Sequence, residues 1–226
     1  MSEDLRAATR ADFEGLPVAV APRLLGAHLS TTVAGESVTV RLTEVEAYHG
    51  LGTGAVADPG SHARMGPTAR NATMWGEPGH LYVYLSHGIH SCVNVVCGPE
   101  GVAGGILLRA GEVVEGQDAA ARRRPAARAV RDLARGPGRL GDAAGLRHPI
   151  HDGIDAITGA EQHGAVARLF LATDLVAPAV TGPRVGVAGV AGTDAFPWRF
   201  WIAGDPTVSP FRWGRGAAPS ADSSPP

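Results

Sequence analysis

Two long stretches of alternating side chains constrain the fold of this chain more than any other feature of its sequence. The first runs from Ser37 to Tyr48, and the second runs from His80 to Val96. Alternation with a period of two is typical of β-strands, in which successive side chains point to opposite faces of a sheet. The second stretch is interrupted by Ser86-His87-Gly88, which is typical of a hairpin turn. The two stretches therefore predict strands in an antiparallel sheet.

Shorter signals complete the predicted architecture. Further strands are predicted at 105–110, 169–172, 184–190 and 200–202, a short helix at 21–25, and a basic helical region over 111–147. Residues 49–80 lack a period and are rich in Gly, Pro, Ser and His, which indicates a functional or a disordered connection. We expect an α+β fold, a single domain over residues 16–213 with a curved, mostly antiparallel β-sheet flanked by a few helices. Residues 1–15 are expected to be a flexible segment, and residues 214–226 a disordered tail.

The length and the composition of the chain indicate how many domains it forms and in which cellular compartment it is expected. The 226 residues suffice for one sizeable domain, and a mean hydropathy of +0.01 is ordinary for a globular protein. No apolar run is long enough to span a bilayer, and the N-terminus lacks a signal-peptide core, so a cytoplasmic protein is expected. Cys92 and Cys97 are separated by an odd spacing around a predicted strand. They are expected on opposite faces, as reduced thiols rather than a disulfide.

The chain contains no lysine, because all 20 of its Lys and Arg positions are arginines. A Schiff base formed by a lysine side chain is therefore excluded, and the α-amino group is the only amine nucleophile that remains. The net charge is −2, but residues 106–148 carry nine arginines against five acidic residues. Such a basic stripe is compatible with a short nucleic-acid footprint, and equally with a solvated helix face.

The nine histidines do not form a metal-binding motif. The pairs His87/His90 and His148/His151 have no HExxH context and no cysteine pair at ligand spacing, so no metal is expected. The sequence also has no P-loop and no G-x-S-x-G elbow, so no cofactor is expected.

One carboxylate and a group of flat rings remain as candidates for chemistry. The alternation places Glu46 on the same face as Val38, Val40 and Leu42, which we expect to be the inner face. A carboxylate there is costly unless it serves a cleft, although a buried, hydrogen-bonded glutamate would also fit the pattern. Flat rings stack on nucleic-acid bases, so together with Glu46 they indicate a pocket for an aromatic base. These rings are Tyr48, His62, Tyr82, Tyr84, His87 and His90.

At these residues the chain resembles the alkyladenine DNA glycosylases, also called the 3-methyladenine DNA glycosylases of the human-type superfamily. The resemblance extends from about Leu16 to Ser209, which is nearly all of the chain that we expect to be ordered. The blocks that carry it are Thr43-Glu44-Val45-Glu46-Ala47-Tyr48, Ser61-His62-Ala63, Thr68-Ala69-Arg70-Asn71, Met74, Pro78-Gly79-His80-Leu81-Tyr82-Val83-Tyr84, Gly88, Cys92, Asn94, Leu107-Leu108-Arg109-Ala110, Gly136-Pro137-Gly138-Arg139-Leu140, Pro183-Arg184-Val185-Gly186-Val187 and Pro197-Trp198-Arg199-Phe200.

The resemblance implies a monofunctional enzyme of base excision repair. Such an enzyme flips a damaged nucleotide out of duplex DNA and hydrolyses its glycosidic bond, which leaves an abasic site. The implied substrates are 3-methyladenine and 7-methylguanine, with hypoxanthine and ethenoadenine as further candidates. The absence of lysine agrees with monofunctional chemistry, because glycosylases that also nick the strand generally use an amine nucleophile.

The resemblance also assigns a role to individual residues. Glu46 is expected to activate the water that attacks C1′ of the flipped sugar, and Arg109 is expected to orient that water. The expected contacts to the base are Tyr48, His62, the main chain at Ala63, Tyr84, and Asn94, which would reject normal guanine. The expected contacts to the DNA backbone are Arg70, Arg139 and Arg184, of which the last two are alternatively scaffold residues.

The hairpin turn departs from the pattern of the family. The family places a tyrosine where this chain has His87, and that residue is implied to wedge into the minor groove and to fill the hole left by the flipped base. Imidazole is smaller and less apolar than phenol, so we expect a weaker plug and a narrower substrate range than is usual in the family.

Three alternatives stay open on the sequence alone. They are a nucleic-acid-binding module without catalysis, a hydrolase of small nucleosides, and a glycosylase specialised for one bulky alkylated purine. The expected partner is DNA that contains damaged purines, in the cytoplasm and at the nucleoid, with no membrane contact. A monomer is expected, because no long apolar helix or stripe calls for a second copy.

Overall fold

Ten strands hydrogen-bond into one sheet in the computed structural model, which describes residues 4–51, 56–174 and 178–218. The strands are β1 (Leu5–Ala7), β2 (His28–Val33), β3 (Glu36–His49), β4 (Leu81–Ser86), β5 (His90–Val96), β6 (Gly104–Glu115), β7 (Ala134–Arg135), β8 (Ala165–Ala172), β9 (Ala179–Gly182) and β10 (Arg199–Ile202). Their order is β1-β8-β2-β3-β6-β5-β4, with β10 also on β3, β9 on β10 and β7 on β6. Every pairing among these strands is antiparallel, which confirms the predicted α+β class.

The helices are short and pack around the sheet. They are the α-helices α1 (Pro17–Val20), α2 (Gln117–Arg123) and α3 (Pro137–Ala144), and 3-10 turns at Arg10–Phe13, Ala21–Leu24, Ala72–Trp75, Val130–Asp132 and Gly189–Gly192. Helix α3 begins with a proline, which suits the first helical turn, and ends at Gly145 with φ +77°. It lies so close to β5 that a Cβ atom on Gly141 would collide with the carbonyl oxygen of Ser91.

Strand β3 contains a bulge that reverses the face to which Glu46 points. Thr43 is an extra residue between the pairs that Leu42 and Glu44 form with β6. An extra residue exchanges the two faces for all residues that follow it. The side chains that β3 contributes to the main core are accordingly Val38, Val40, Leu42, Val45 and Ala47. The prediction that Glu46 shares a face with Leu42 is therefore wrong, because simple alternation does not allow for the extra residue.

The strand pairings of the structure also differ from several of the predicted helices and strands. Residues 111–115, predicted as helix, extend β6, since they pair with β3. Residues 184–188 form no strand, and 189–192 form a 3-10 turn. The strands β2 and β9 have no counterpart among the predicted strands, although β2 pairs along its whole length with both β3 and β8.

Both predicted terminal segments are partly ordered. Strand β1 pairs with β8, and Phe13 is completely buried, so residues 5–13 pack onto the domain that was expected to begin at residue 16. At the other end, Ala217 is 1% exposed and packs against Gly192. Residues 219–226 of the expected tail, and residues 1–3, lie outside the described residues.

The predicted hairpin between β4 and β5 is confirmed. Ser86 pairs with His90, and the amide of Ile89 donates to the carbonyl of Ser86 at 3.0 Å. His87 and Gly88 have φ angles of +50° and +72°, as a turn of the I′ type requires. Both cysteines are free and buried, as expected.

Candidate active site

A cavity of about 1190 Å³ opens beside the C-terminal half of β3. Its walls come from β3 to β6, from the N-terminus of α3, and from the loop over residues 185–188. The lining includes Tyr48, His62, Tyr84, Asn94 and Arg109, so the fold brings together five of the residues that the sequence singled out. His87 and Arg139 lie on the same lining.

Glu46 is completely buried directly behind the wall of this cavity. Its Oε2 accepts a hydrogen bond from the Tyr48 hydroxyl at 2.8 Å and from Arg109 Nη1 at 3.4 Å. Its Oε1 accepts from the main-chain amide of Val185 at 2.6 Å. All three donors line the cavity, whereas Glu46 itself does not. The carboxylate is therefore held in one orientation, and Oε2 is directed at the two side chains that separate it from the cavity.

Arg109 links Glu46 to a second buried carboxylate. It is an extra residue of β6, between the pairs that Ala110 and Leu108 form with β3. Its Nε donates to Glu44 Oε1 at 3.1 Å, a shorter distance than its contact with Glu46. Burial alone would lower the pKa of Arg109, but the carboxylates of Glu46 and Glu44 raise that pKa above its ordinary value. Arg109 therefore keeps its positive charge beside the cavity.

Glu44 is held in turn by Arg199 and by Ser209. Arg199 Nε donates to Glu44 Oε1 at 2.6 Å, and the Ser209 amide donates to Glu44 Oε2 at 2.7 Å. The Ser209 hydroxyl accepts from Arg109 Nη2 at 3.2 Å. A charged network of this kind is fully hydrogen-bonded, which is the condition under which buried charges are tolerated.

Aromatic rings line the same cavity. Tyr82 and Tyr84 stack with ring centroids 5.5 Å apart, and His62 meets Tyr84 edge-on at 4.6 Å. Burial raises the pKa of Tyr82 to about 12, and burial also raises the pKa of Tyr48 well above 10. Burial lowers the pKa of His62, and the charges of Arg70 and Arg64 lower it further. At neutral pH the cavity thus presents neutral phenols and a neutral imidazole.

Asn94 and Ala63 differ in how they can serve a base. Asn94 lines the cavity, and its Nδ2 donates to the carbonyl of Tyr82 at 3.1 Å. Ala63 is completely buried, and its amide already donates to Ser61 Oγ at 3.1 Å. Its carbonyl accepts from the amide of Gly66 at 2.9 Å. The main-chain amide and carbonyl of Ala63 are therefore already hydrogen-bonded within their own loop.

Arg184 has the position of a scaffold residue, the second of the two roles that the sequence left open for it. It is 0% exposed, and it donates to both carboxylate oxygens of Asp58 at 2.8 Å. It also donates to the carbonyls of Ala47 and Ala191, each at 3.1 Å. Its guanidinium lies 4.5 Å from the ring centre of Tyr48 and covers one face of that ring.

The other predicted DNA contacts are exposed. Arg70 donates to the carbonyl of Leu85 at the base of the hairpin at 3.2 Å, and Arg139 lies in the first turn of α3. His87 projects at the hairpin tip beside Ile89, which is 71% exposed. The sequence reasoning missed Glu44, Val185 and Ser209 as parts of the site. Glu44 and Val185 had a signal, since each stands in a block that carries the family resemblance, whereas Ser209 had none.

The described residues contain no group of three or more His, Cys, Asp or Glu side chains that could hold a metal ion. Within the same ranges, no helix is both long and apolar enough to cross a membrane.

These features define a class of protein. An antiparallel sheet holds a buried carboxylate and an arginine at the wall of a ring-lined cavity, beneath a projecting hairpin. Rings of this kind stack on bases, and exposed arginines bind phosphates, so the class is one that acts on a nucleic-acid base.

Comparison with known proteins identifies the family. The chain belongs to the methylpurine-DNA glycosylase family, whose model matches residues 11–206. It is 48% identical over 218 residues to a protein of Leifsonia xyli subsp. xyli (94% of this chain, 97% of that protein). It is 47% identical over 205 residues to a Streptomyces avermitilis protein (90% and 91%) and 50% identical over 197 residues to a Nocardia farcinica protein (87% and 87%). All three are provisionally named 3-methyladenine DNA glycosylases. The resemblance stated from the sequence is thus confirmed, together with the enzyme class, a DNA glycosylase.

Proposed function

We propose that this protein is a monofunctional DNA glycosylase that flips alkylated purines out of DNA and hydrolyses their glycosidic bond. The observation that carries this proposal is the pair of Arg109, which lines a cavity walled by rings, and Glu46, which lies directly behind that wall. The preferred substrates would be 3-methyladenine and 7-methylguanine, and the product would be an abasic site. The protein would act as a monomer on DNA at the nucleoid.

The cavity suits a base that is already positively charged. Tyr48 has one face covered by Arg184, which leaves its other face for the cavity, and Tyr84 and His62 offer further ring surfaces. Neutral electron-rich rings attract a cation through their π-faces. A methylated cationic purine is also a good leaving group without a general acid, so one carboxylate suffices.

Glu46 would act as the base that takes a proton from water. Its Oε2 lies behind Tyr48 and Arg109, so water entering between these side chains would reach the carboxylate. The short bond from the Val185 amide would keep Oε1 in place during the reaction. Because Arg109 lies nearer to Glu44 than to Glu46, it could orient the attacking water beside Glu46 while its charge is shared with Glu44.

The test is base release from duplex oligonucleotides that carry one 7-methylguanine, one 3-methyladenine analogue or one hypoxanthine. Wild type, Glu46→Gln and the control Glu161→Gln would be compared in single-turnover reactions, with and without alkali. Glu161 is an exposed carboxylate that does not line the cavity. We expect a loss of at least about 100-fold in Glu46→Gln alone, as is typical for removal of a general base. Strand breaks should appear only after alkali, since the chain has no lysine.

Different outcomes would support the other candidate functions. Binding without release of any base would favour a non-catalytic module, and equal hydrolysis of free nucleosides would favour a nucleoside hydrolase. A glycosylase for bulky alkylated purines is the remaining candidate. Faster release of a purine with a bulky N3 or N7 substituent than of 7-methylguanine would support it.

A further inference from the structure

The residues that follow the family-matched region complete the wall of the cavity. The family model ends at residue 206, and residues 207–217, which we name the C-terminal strap, continue along the site. The strap begins at the buried charge network. There the Ser209 amide donates to Glu44, and the Ser209 carbonyl accepts from Arg199 Nη2 at 3.1 Å.

The middle of the strap is fixed to the loop that holds Glu46. The carbonyl of Arg212 accepts from the amide of Gly186 at 2.9 Å, next to Val185, which donates to Glu46. Gly214 lies so close to the Val187 carbonyl that a Cβ atom would collide with it. The strap backbone at Arg212 is therefore held by its own hydrogen bond to Gly186 and by the close approach of Gly214 to Val187.

The side chain of Arg212 points away from its neighbours and towards the cavity. Phe211 and Trp213 pack against each other edge-on at 4.8 Å, so they lie on one side of the strap. In an extended chain the residue between them points to the other side, and Arg212 does line the cavity. Arg212 is exposed, and its guanidinium makes no hydrogen bond or ion pair with any described residue.

Two other arginines on the cavity lining, Arg124 and Arg135, already have acidic or carbonyl partners. Arg124 lies 3.6 Å from Asp142, and Arg135 lies 3.8 Å from Asp132 and donates to the Val208 carbonyl at 2.9 Å. An arginine with a fixed backbone and an unpaired guanidinium is well suited to bind a phosphate group. We infer that Arg212 binds a backbone phosphate of the DNA strand at the mouth of the cavity. This inference rests on the proposed function, since it takes DNA as the ligand.

The effect of Arg212 can be measured through the salt dependence of binding. Each phosphate neutralised by an arginine adds about 0.9 to the slope of log K against log salt concentration. Arg212→Gln should therefore reduce that slope by about one and weaken binding several-fold at low salt. Arg212→Lys should restore the slope, because it keeps the positive charge.

The experiment uses full-length protein and a duplex with one stable abasic-site analogue, with fluorescence anisotropy at several NaCl concentrations. Arg215→Gln is the matched control, since Arg215 is exposed on the same strap but does not line the cavity. A lower slope in Arg212→Gln alone, restored by Arg212→Lys, would support the inference. A slope equal to that of wild type, or an equal decrease in Arg215→Gln, would overturn it.

Single-turnover base release at saturating enzyme separates the two proposals. If Arg212 acts only in binding, the rate at saturation stays near that of wild type. Wild-type protein that binds DNA with the expected slope but releases no base would refute the proposed enzyme while leaving Arg212 as a phosphate contact. Wild-type protein with no affinity for the duplex would overturn both.

Discussion

Replacement of Arg184 by glutamine should unfold the protein at a much lower temperature without changing how its binding to DNA depends on salt. Arg184 is completely buried, and both of its terminal nitrogens bond to the carboxylate of Asp58. Asp58 also accepts from the amides of His49 and Gly60, so it cannot leave its position when the arginine is lost. The substitution would therefore strand a buried negative charge.

The size of the effect follows from this geometry. Breaking a buried ion pair by removing one partner costs about 3–5 kcal/mol. For a chain of this length each kcal/mol shifts the melting temperature by about 2–4 °C, so a decrease of roughly 6–20 °C is expected. Asp58→Asn keeps an oxygen for the two amides but removes the charge. The double variant should therefore lose less free energy of unfolding than the two single variants lose together, and the difference should be about 0.5–3 kcal/mol.

Thermal and urea unfolding of the wild type, both single variants and the double variant would measure these quantities. DNA binding by folded Arg184→Gln at a low temperature should show the same salt slope as the wild type. The reasoning would be refuted if Arg184→Gln melts close to the wild type while its salt slope falls by about one, as expected for loss of a phosphate contact. Arg184 would then reach DNA, and its buried pairing with Asp58 would not describe the protein in solution.

Three further predictions concern the hairpin, the charge network and the N-terminus. His87→Tyr should increase the affinity for a duplex that carries a lesion roughly fivefold, because the added apolar surface contributes about 1 kcal/mol. The same substitution should speed the release of hypoxanthine more than the release of 7-methylguanine. Equal release rates on both lesions in the wild type would contradict the expected narrow substrate range. Glu44→Gln should lower the free energy of unfolding in urea by about 3 kcal/mol and should slow base release, because Arg109 and Arg199 lose the carboxylate that they share. An unchanged unfolding curve would count against this role of Glu44. The hydrogen bond from Arg6, with those from Thr9, holds the pKa of Asp12 well below its usual range, so its stabilisation is present above about pH 4 and is lost as the pH falls further. The difference in melting temperature between wild type and Asp12→Asn should therefore shrink between pH 6 and pH 3, and a constant difference would refute it.

The sequence alone determined the class of fold and the chemical type of the site. Alternation with a period of two depends only on which side chains are apolar, so β4, β5 and the turn at His87 could be predicted from neighbouring residues. The absence of lysine is likewise a property of composition, and it limits the chemistry however the chain folds. The blocks around Glu46 and Arg109 were sufficient to predict the family, which was confirmed.

Only the tertiary structure decided which side chains are available to DNA and which hold the scaffold. Arg184 and Arg139 are equally basic in the sequence, yet one is buried against Asp58 and the other is exposed at the start of α3. The bulge at Thr43 was not predicted: the apolar positions of β3 change parity after Leu42, but only the pairing with β6 identifies Thr43 as the extra residue. The strap with Ser209 and Arg212 lies distant in sequence from Glu46, so its part in the site comes from long-range contacts that no local pattern encodes.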